Sequence, residues 1–301
     1  MAAGFKGAIK SRDRKVKAIL DHLYASRSPQ HLANDPLSFC HRYSNPADQE
    51  VAAVIASAFA YGGIKIILRT LESIFAELGP SPRSYVESFS PDKALKTFSG
   101  FKHRFNDGRD LTALLWAIRL MIADAGSINA FFLRFLHESE QDVTTALNGY
   151  SAAVLAMDFG PVFGCANAPE NSYFSFFFPA PLAGSACKRL CMFLRWVARP
   201  ADGVDLGIWH GVSPSRLVIP VDTHISRICT YLGFTGRKAA DWRMAQEITA
   251  ALRRLDPADP VKYDFALAHL GISEGCNGAD PLRCPACAIK DICPQTATTT
   301  R

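Results

Sequence analysis

Apolar residues recur at helical spacing along most of the chain, whereas alternating apolar and polar runs are scarce. In the segment IPVDTHISRICTYLG, the positions i, i+3, i+4 and i+7 are Ile225, Ile228, Cys229 and Leu232. This spacing is typical of amphipathic helices. The pattern predicts an all-α protein, with helices near residues 13–25, 47–60, 64–78, 109–124, 127–137, 141–157, 185–198, 223–232, 239–254 and 260–270.

Composition narrows the class of protein. With 301 residues, of which 49% are hydrophobic and 20% charged, the chain is long enough for one large domain or two lobes. No apolar run approaches the roughly 18 residues of a membrane span, so we expect no membrane partner. The net charge of +5 permits a polyanionic partner without requiring one.

Four cysteines near the C-terminus narrow the range of possible functions more than any other feature of the sequence. Cys276, Cys284, Cys287 and Cys293 are spaced C-x7-C-x2-C-x5-C. Thiolates at such spacing close on a tetrahedral Zn²⁺ or on a [4Fe-4S] cluster, and the spacing alone leaves both open. Disulfides, buried structural thiols and chance clustering are the alternatives. The basic N-terminus lacks the apolar stretch of a signal peptide, so we expect a reducing cytoplasm, where such a cluster favours a metal.

The predicted helix 185–198 has two distinct faces. Its apolar face carries Leu190, Phe193, Leu194 and Val197, and the opposite face carries Lys188, Arg195 and Arg199. No acidic residue interrupts residues 183–200. Such a stripe is either a solvated surface or a site for phosphate contact. With Ser185 as N-cap, Lys188 would be the third helical residue, where a cation opposes the helix dipole.

The string VDTHISR, residues 221–227, places Asp222 at the start of a helix. Asp is a favoured N-cap because its carboxylate accepts hydrogen bonds from unpaired backbone amides. Capping alone would explain Asp222, and His224 would by the same interpretation be a half-buried polar residue. Neither residue by itself predicts chemistry.

These features occur in an order that resembles the helix-hairpin-helix DNA glycosylase superfamily. A lysine at a helix start, then VDTHIxR, then four C-terminal cysteines are similar to the motifs of endonuclease III, and within the superfamily to a bacterial branch with a C-terminal iron-sulfur motif. The resemblance implies an endonuclease III-like two-lobed helical fold with a C-terminal cluster loop. The expected parts are a central lobe with a modified helix-hairpin-helix, a cluster lobe and a disordered tail, at residues 41–214, 1–40 plus 215–295, and 296–301.

The resemblance also assigns roles to individual residues. Asp222 corresponds to the catalytic aspartate, Lys188 to the lysine that forms a Schiff base, and the four cysteines to the ligands of a [4Fe-4S] cluster, with Zn²⁺ as the alternative. The chain departs from the family pattern in three places. Ala186 replaces the second hairpin glycine, residues 198–216 lengthen the path to Asp222, and C-x7-C is one residue longer than in endonuclease III.

Contacts with DNA are expected from three groups of residues. In SAFAYGG, residues 57–63, Phe59 or Tyr61 would enter the DNA stack, unless they are core aromatics. In GFKHRFNDGRD, residues 100–110, His103 and Arg104 would face DNA, unless the segment is a solvated loop. The basic residues expected to meet the backbone are Arg189, Arg195, Arg199, Arg227 and Arg283.

The implied function is base-excision repair. A monomeric, cytoplasmic and nucleoid-associated DNA glycosylase would flip a damaged base out of double-stranded DNA and remove it. It would have AP-lyase activity if Lys188 attacks C1′, and would be monofunctional if Asp222 directs water instead. The alternatives are a non-catalytic DNA-binding or damage-recognition protein of the same fold, and a Zn-stabilised helical protein.

Overall fold

The computed structural model describes residues 11–27, 29–278 and 280–295 of the chain. Within these ranges it contains thirteen α-helices and one antiparallel pair of two-residue strands, β1 (Lys102–His103) and β2 (Asn106–Asp107). The prediction of an all-α protein is therefore confirmed. The helices are α1 Ser11–Ala25, α2 Pro46–Ala58, α3 Ile64–Leu78, α4 Pro82–Glu87, α5 Pro91–Thr97, α6 Gly108–Ala125, α7 Ile128–Leu133, α8 Thr144–Leu155, α9 Gly160–Phe163, α10 Lys188–Ala198, α11 Thr223–Tyr231, α12 Trp242–Leu255 and α13 Asp264–Ile272.

All ten predicted helices are present, and three short ones were missed. The missed helices α4, α5 and α9 are only four to seven residues long, and each has a proline in its first turn. Such short helices contain too few residues for apolar periodicity to be recognised. Proline at the start of a helix is itself a helix signal, because its missing N–H would have no partner there.

Helix α10 begins later than predicted. It starts at Lys188, since Cys187 before it has a φ of +48° and Gly184 a φ of +76°, both left-handed. Ser185 is therefore outside the helix, and its hydroxyl accepts a hydrogen bond from the amide of Cys187 at 3.1 Å. The prediction that Lys188 is the third helical residue was wrong: it is the first.

Helix α2 lies at the centre of the structure. Residues 50–60 are all buried, and α2 packs against α10 and the 3-10 helix Pro36–Arg42. A helix that is buried on every side belongs to the core rather than to a surface. The N-terminal helix α1 packs against the C-terminal helices α12 and α13, and α11 also packs against α13. The starts of α10 and α11 both line one cavity.

The proposed division into a lobe of residues 41–214 and a lobe of residues 1–40 plus 215–295 remains a prediction. The tail 296–301, expected to be disordered, lies outside the described residues. In the part of the chain that the structure covers, no helix has both the length and the hydropathy needed to cross a membrane.

Candidate active site

Lys188 and Asp222 line the same cleft, which has a volume of about 360 Å³. They come from the starts of two different helices, α10 and α11. The apolar part of the lining includes Ile64, Ile67, Met192, Trp196, Ile225 and Phe265. A concave, largely apolar site with a few polar groups is the usual form of a small-molecule or catalytic pocket.

Asp222 is the N-cap of α11, as predicted. Its Oδ1 accepts hydrogen bonds from the backbone amides of His224 and Ile225, each at 2.8 Å. The start of a helix favours a negative charge, because unpaired amides point toward it. Both capping bonds end on Oδ1, so Oδ2 is not used for capping. The half-buried carboxylate thus has a fixed orientation at the edge of the cleft.

Lys188 is held at the cleft by a strained start to α10. The left-handed Cys187 that precedes it is one of two non-glycine residues with positive φ among those described. A left-handed backbone costs energy for a residue with a Cβ, and such strain is often found at functional sites. As the first residue of α10, Lys188 also places a cation where the helix dipole opposes it. The strained backbone of Cys187 and the unfavourable position of the half-buried Lys188 in the helix dipole therefore occur at consecutive residues.

The side chain of His224 lies between α11 and α13 and also lines the cleft. A Cβ added at Gly271 would lie 2.2 Å from its Nδ1, so only glycine leaves room for the imidazole. Arg227 Nη2 lies 3.3 Å from the same nitrogen. His224 is thus more than a half-buried polar residue, because α13 is shaped around it.

Two further carboxyl groups in the cleft were missed from the sequence, Asp35 and Asp264. Arg195 donates to Asp264 at 2.5 Å. Burial raises the pKa of Asp264 to about 6, the positive charge of Arg195 opposes this, and the charge of Asp222 adds to it. Burial also raises the pKa of Asp35, against the effects of the Leu37 amide and the charges of Arg195 and Lys188. In the sequence, Asp35 before Pro36 indicates only a turn, and Asp264 only a helix start.

His269 is a third polar residue of the cleft that was missed. It is 5% exposed, its Nδ1 lies 2.9 Å from the hydroxyl of Ser273, and its Nε2 has no hydrogen-bond partner among the described residues. Burial, together with the charges of Arg27 and His31, lowers the pKa of His269 to about 4. Its imidazole is therefore neutral at pH 7. A buried, neutral ring with one unpaired nitrogen can donate a hydrogen bond to a molecule in the cleft or accept one from it.

The predicted basic stripe on α10 is not a surface. Arg195 and Arg199 are 3% and 4% exposed. Their ion-pair partners are acids from other segments, namely Asp264 and Asp205 for Arg195 and Asp202, Asp205 and Asp259 for Arg199. Phosphate contact by these two arginines is therefore corrected to a structural role: neighbouring acids satisfy their charges inside the protein.

Arg189 is also buried, at 7% exposure, rather than free to meet DNA. It donates hydrogen bonds to the carbonyls of Ala58, at 2.6 Å, and of Phe176. Its guanidinium lies 3.8 Å from the centre of the Phe176 ring. Arg189 thus joins α10 to the end of α2 and to an aromatic segment.

Of the four residues expected to reach DNA from the 57–63 and 100–110 segments, two are buried. Phe59 packs among Phe101, His103 and Phe177, and both Phe59 and His103 are 0% exposed. His103 lies 2.9 Å from the hydroxyl of Thr70 and 3.0 Å from the carbonyl of Tyr61. DNA contact by Phe59 and His103 is therefore corrected to core packing. Tyr61 is half-buried and Arg104 is exposed.

The four C-terminal cysteines are half-buried, and Cys276, Cys284 and Cys287 line a second cavity of about 290 Å³. Burial raises the pKa of Cys276, and the neighbouring Cys293 and Cys284 raise it further. In the ranges that the structure describes, no three or more His, Cys, Asp or Glu side chains are grouped so as to hold a metal ion.

The cysteine loop, residues 276–293, is attached at its start to α11, the helix whose N-cap is Asp222. Arg227 donates to the carbonyl of Cys276, and the hydroxyl of Tyr231 donates to the carbonyl of Asn277 at 3.0 Å. Gly278 has a φ of +86°, and a Cβ there would lie 2.3 Å from the Tyr231 ring. Arg227 is half-buried and anchors this loop, and its contact with DNA stays a prediction.

Arg283 lies on the surface of the same loop. Its side chain is 61% exposed and is paired with Asp280 at 3.3 Å. It also donates to the carbonyls of Glu274 and Gly275. Contact of Arg283 with DNA stays a prediction.

Comparison with known proteins gives one match. A family model described as "Protein of unknown function (DUF2400)" matches residues 35–273, which include Lys188 and Asp222 and end before Cys276. No curated protein and no solved structure matches the chain. Because the family model covers most of the chain, this protein belongs to the DUF2400 family.

Proposed function

We propose that this protein is a DNA N-glycosylase of base-excision repair, with an endonuclease III-like fold, and that it cleaves abasic sites through Lys188. The observation that carries the proposal is that Lys188 and Asp222 line one cleft although they lie on different helices. A lysine and a carboxylate are the two groups that this chemistry needs near C1′ of the target nucleotide.

Asp222 supplies a fixed negative charge. Breaking an N-glycosidic bond develops positive charge on the sugar ring, as in glycoside hydrolysis. A carboxylate held in place beside the ring stabilises that charge without having to reorganise. The capping bonds to His224 and Ile225 fix the Asp222 carboxylate in this way, and leave Oδ2 for the sugar.

Lys188 supplies the nucleophile. Its neutral Nζ forms a bond to C1′ while the bond from C1′ to the base breaks, and the base leaves with the bonding electron pair and takes up a proton. The nitrogen lone pair then forms a double bond to C1′ while the bond from C1′ to O4′ breaks, and O4′ leaves with that electron pair and takes up a proton. Of the two protons taken up by the base and by O4′, one comes from the attached nitrogen and one from solvent, so the Schiff base keeps one proton and a positive charge. Removal of a C2′ proton from this intermediate breaks the bond between C3′ and its oxygen, which cleaves the strand.

The cleft suits a nucleotide that has left the duplex. Its apolar walls can pack against a flat base, and the neutral His269 and the largely buried Asp264 offer hydrogen bonds to the base edge. Flipping costs a few kcal/mol, which contacts of this kind must offset. The extrahelical base would thus lie among residues from α3, α10, α11 and α13.

The four cysteines are proposed to hold a [4Fe-4S] cluster. The C-x7-C-x2-C-x5-C spacing carries this proposal, and in the structure three of the four half-buried cysteines line one cavity. The cluster when bound would stabilise the C-terminal loop through its metal–thiolate bonds. Anaerobically purified protein is expected to show a broad visible absorption band and to contain iron. Colourless protein that contains zinc would contradict the cluster assignment, because Zn²⁺ has a filled d shell.

The activity is tested by base release under single-turnover conditions from duplexes that carry uracil, hypoxanthine, 3-methyladenine or 5,6-dihydrouracil. We expect release from at least one, and Asp222→Asn should slow it by about 100-fold or more. Asp92→Asn, on the exposed first turn of α5, is the matched control and should leave the rate unchanged. Tight DNA binding without release from any of these lesions would favour a non-catalytic DNA-binding protein instead.

A further inference from the structure

An exposed group of aromatic side chains lies beside the cleft, and three of its four members have not been considered so far for DNA contact. It consists of Tyr61, Phe105, Tyr173 and Phe176, which we call the aromatic platform. The centroid of the Phe105 ring lies 5.2 Å from the ring centroid of Tyr61, 4.8 Å from that of Tyr173 and 4.7 Å from that of Phe176. The four rings therefore form one continuous contact group from three separate segments of the chain.

The platform is open to solvent. Tyr173 is 51% exposed and Phe176 is 38% exposed, and both are among the few large hydrophobic side chains with such exposure in the described chain. Tyr61 and Phe105 are half-buried. A contiguous group of exposed aromatic rings is unusual on a protein surface and marks a place where another molecule packs.

A buried polar network holds the platform in place. Asn106 donates to Asp110 at 2.9 Å and to the carbonyl of Tyr173 at 3.1 Å, and the amide of Tyr173 donates to the other oxygen of Asp110 at 3.1 Å. The hydroxyl of Tyr61 donates to Asn106 as well. Asn106 is 0% exposed and Asp110 is 2% exposed. Buried polar groups that are paired in this way rigidify their surroundings, so the exposed rings have fixed positions.

Two arginines lie next to the platform: Arg189, which is buried and supports the Phe176 ring, and Arg104, which is exposed. The guanidinium of Arg189 lies 3.8 Å from the centre of the Phe176 ring. Arg104 is exposed, has a φ of +55°, and lies against Gly62, where a Cβ would be 3.1 Å from its Cδ. Gly62 in turn lines the cleft, and Arg189 follows Lys188 directly in α10. Because Gly62 directly follows Tyr61, the platform borders the cleft at this point.

We propose that the aromatic platform binds single-stranded DNA by stacking unpaired bases next to the cleft. Exposed rings beside an exposed guanidinium, here that of Arg104, are the combination that binds single strands without sequence preference, since every base has a flat face and every nucleotide a phosphate. Four rings joined through contacts with Phe105 present a broader surface than the single side chain that fits between two base pairs. The preferred partner is therefore DNA with unpaired bases rather than an intact duplex. This inference rests on the proposed function only in taking DNA as the partner.

The test is fluorescence anisotropy with a labelled oligothymidylate of about 16 nucleotides, compared with a blunt duplex of the same length at the same salt concentration. The wild-type protein should bind the single strand more tightly. Tyr173→Ala and Phe105→Ala should each weaken that binding by about 5- to 150-fold. Tyr173→Phe keeps the ring and should bind like the wild type. Leu182→Ala, at a residue 87% exposed on the turn next to α8, is the control for loss of an exposed apolar side chain.

A second variant keeps the test decisive if the alanine variants fold poorly. Tyr173→Trp retains an exposed ring, and stacking of thymine on it should quench its fluorescence as oligothymidylate is added. Three results would each contradict single-strand binding by the platform. These are equal affinity for the single strand and the duplex, alanine variants that bind like the wild type, and no quenching. Loss of base release in Asp222→Asn and loss of strand binding in Tyr173→Ala are measured separately, so they report on different proposals.

Discussion

His269 links the cleft to the pH dependence of stability. Burial and the charges of Arg27, His31 and Arg195 lower its pKa from 6.5 to about 4 in the folded protein. Between these two values the unfolded chain binds a proton that the folded protein does not. The stabilising contribution of the neutral ring is therefore fully present above pH 6.5 and is lost as the pH falls toward 4.

The pH effect has an expected size. A shift from 6.5 to about 4, at about 1.4 kcal/mol for each pH unit, corresponds to about 3 kcal/mol of unfolding free energy. His269→Gln, which cannot be protonated, should lose that much less stability on acidification than the wild type in urea unfolding. His137→Gln, at an exposed position, should behave as the wild type does. An equal loss in the wild type and His269→Gln would contradict the neutral imidazole.

Single residues differ in how well the sequence predicts them. Asp222 could be placed at a helix start because capping depends on residues two and three positions away. Arg195 and Arg199 could not be recognised as buried, because all the acids that pair with them lie beyond the helix, and Asp264 is 69 positions from Arg195. A local absence of acids therefore does not show that a basic face is exposed.

Among the helices, α10 serves two purposes. Its first residue, Lys188, faces the cleft, and its last turn carries Arg195 and leads into Arg199, both in the buried ion-pair network. The network fixes the C-terminal end of α10 against the segments that contain Asp205 and Asp259. It thereby helps to hold Lys188 in place.

Removing Arg199 should destabilise the protein rather than weaken DNA binding. Arg199→Ala leaves Asp205 buried with one partner fewer, and breaking a buried ion pair in this way costs about 3–5 kcal/mol. Thermal and urea unfolding should show this loss, while DNA affinity measured well below the transition stays unchanged. Arg254→Ala, at a side chain 60% exposed, is the control and should change stability little. If Arg199→Ala left stability unchanged and weakened DNA binding, Arg199 would be a DNA-contacting residue after all.

Helix α11 connects Asp222 to the cysteine loop. Arg227→Ala removes the bond to the carbonyl of Cys276 and should loosen the loop at its first thiol. Loss of a group that supports a metal ligand typically weakens metal binding by 10- to 100-fold. We expect the visible absorption to decay about tenfold faster in air, and Arg243→Ala, exposed on α12, to decay like the wild type. The same decay rate in both variants would show that Arg227 does not support the cluster.

In the whole molecule, the cleft is assembled from segments that are far apart in sequence, around residues 34–36, 60–67, 188–196, 220–225 and 264–272. The order of motifs was enough to identify Lys188 and Asp222 as candidates. Asp35, Asp264 and His269 were not identified, since each becomes a cleft residue only through the packing of distant helices. The aromatic platform was missed for the same reason: Phe105 and Phe176 meet only in the folded chain.

The most direct test of the account is borohydride trapping on a duplex with an abasic site, followed by mass spectrometry of the peptide that carries the adduct. This substrate needs no base recognition, so it probes only the placement of Lys188 at C1′. We expect one covalent adduct, located on Lys188, abolished by Lys188→Ala and retained by Lys93→Ala, which changes an exposed lysine on α5. An adduct on another lysine, or no adduct from the abasic duplex, would contradict the central claim that Lys188 acts on the sugar.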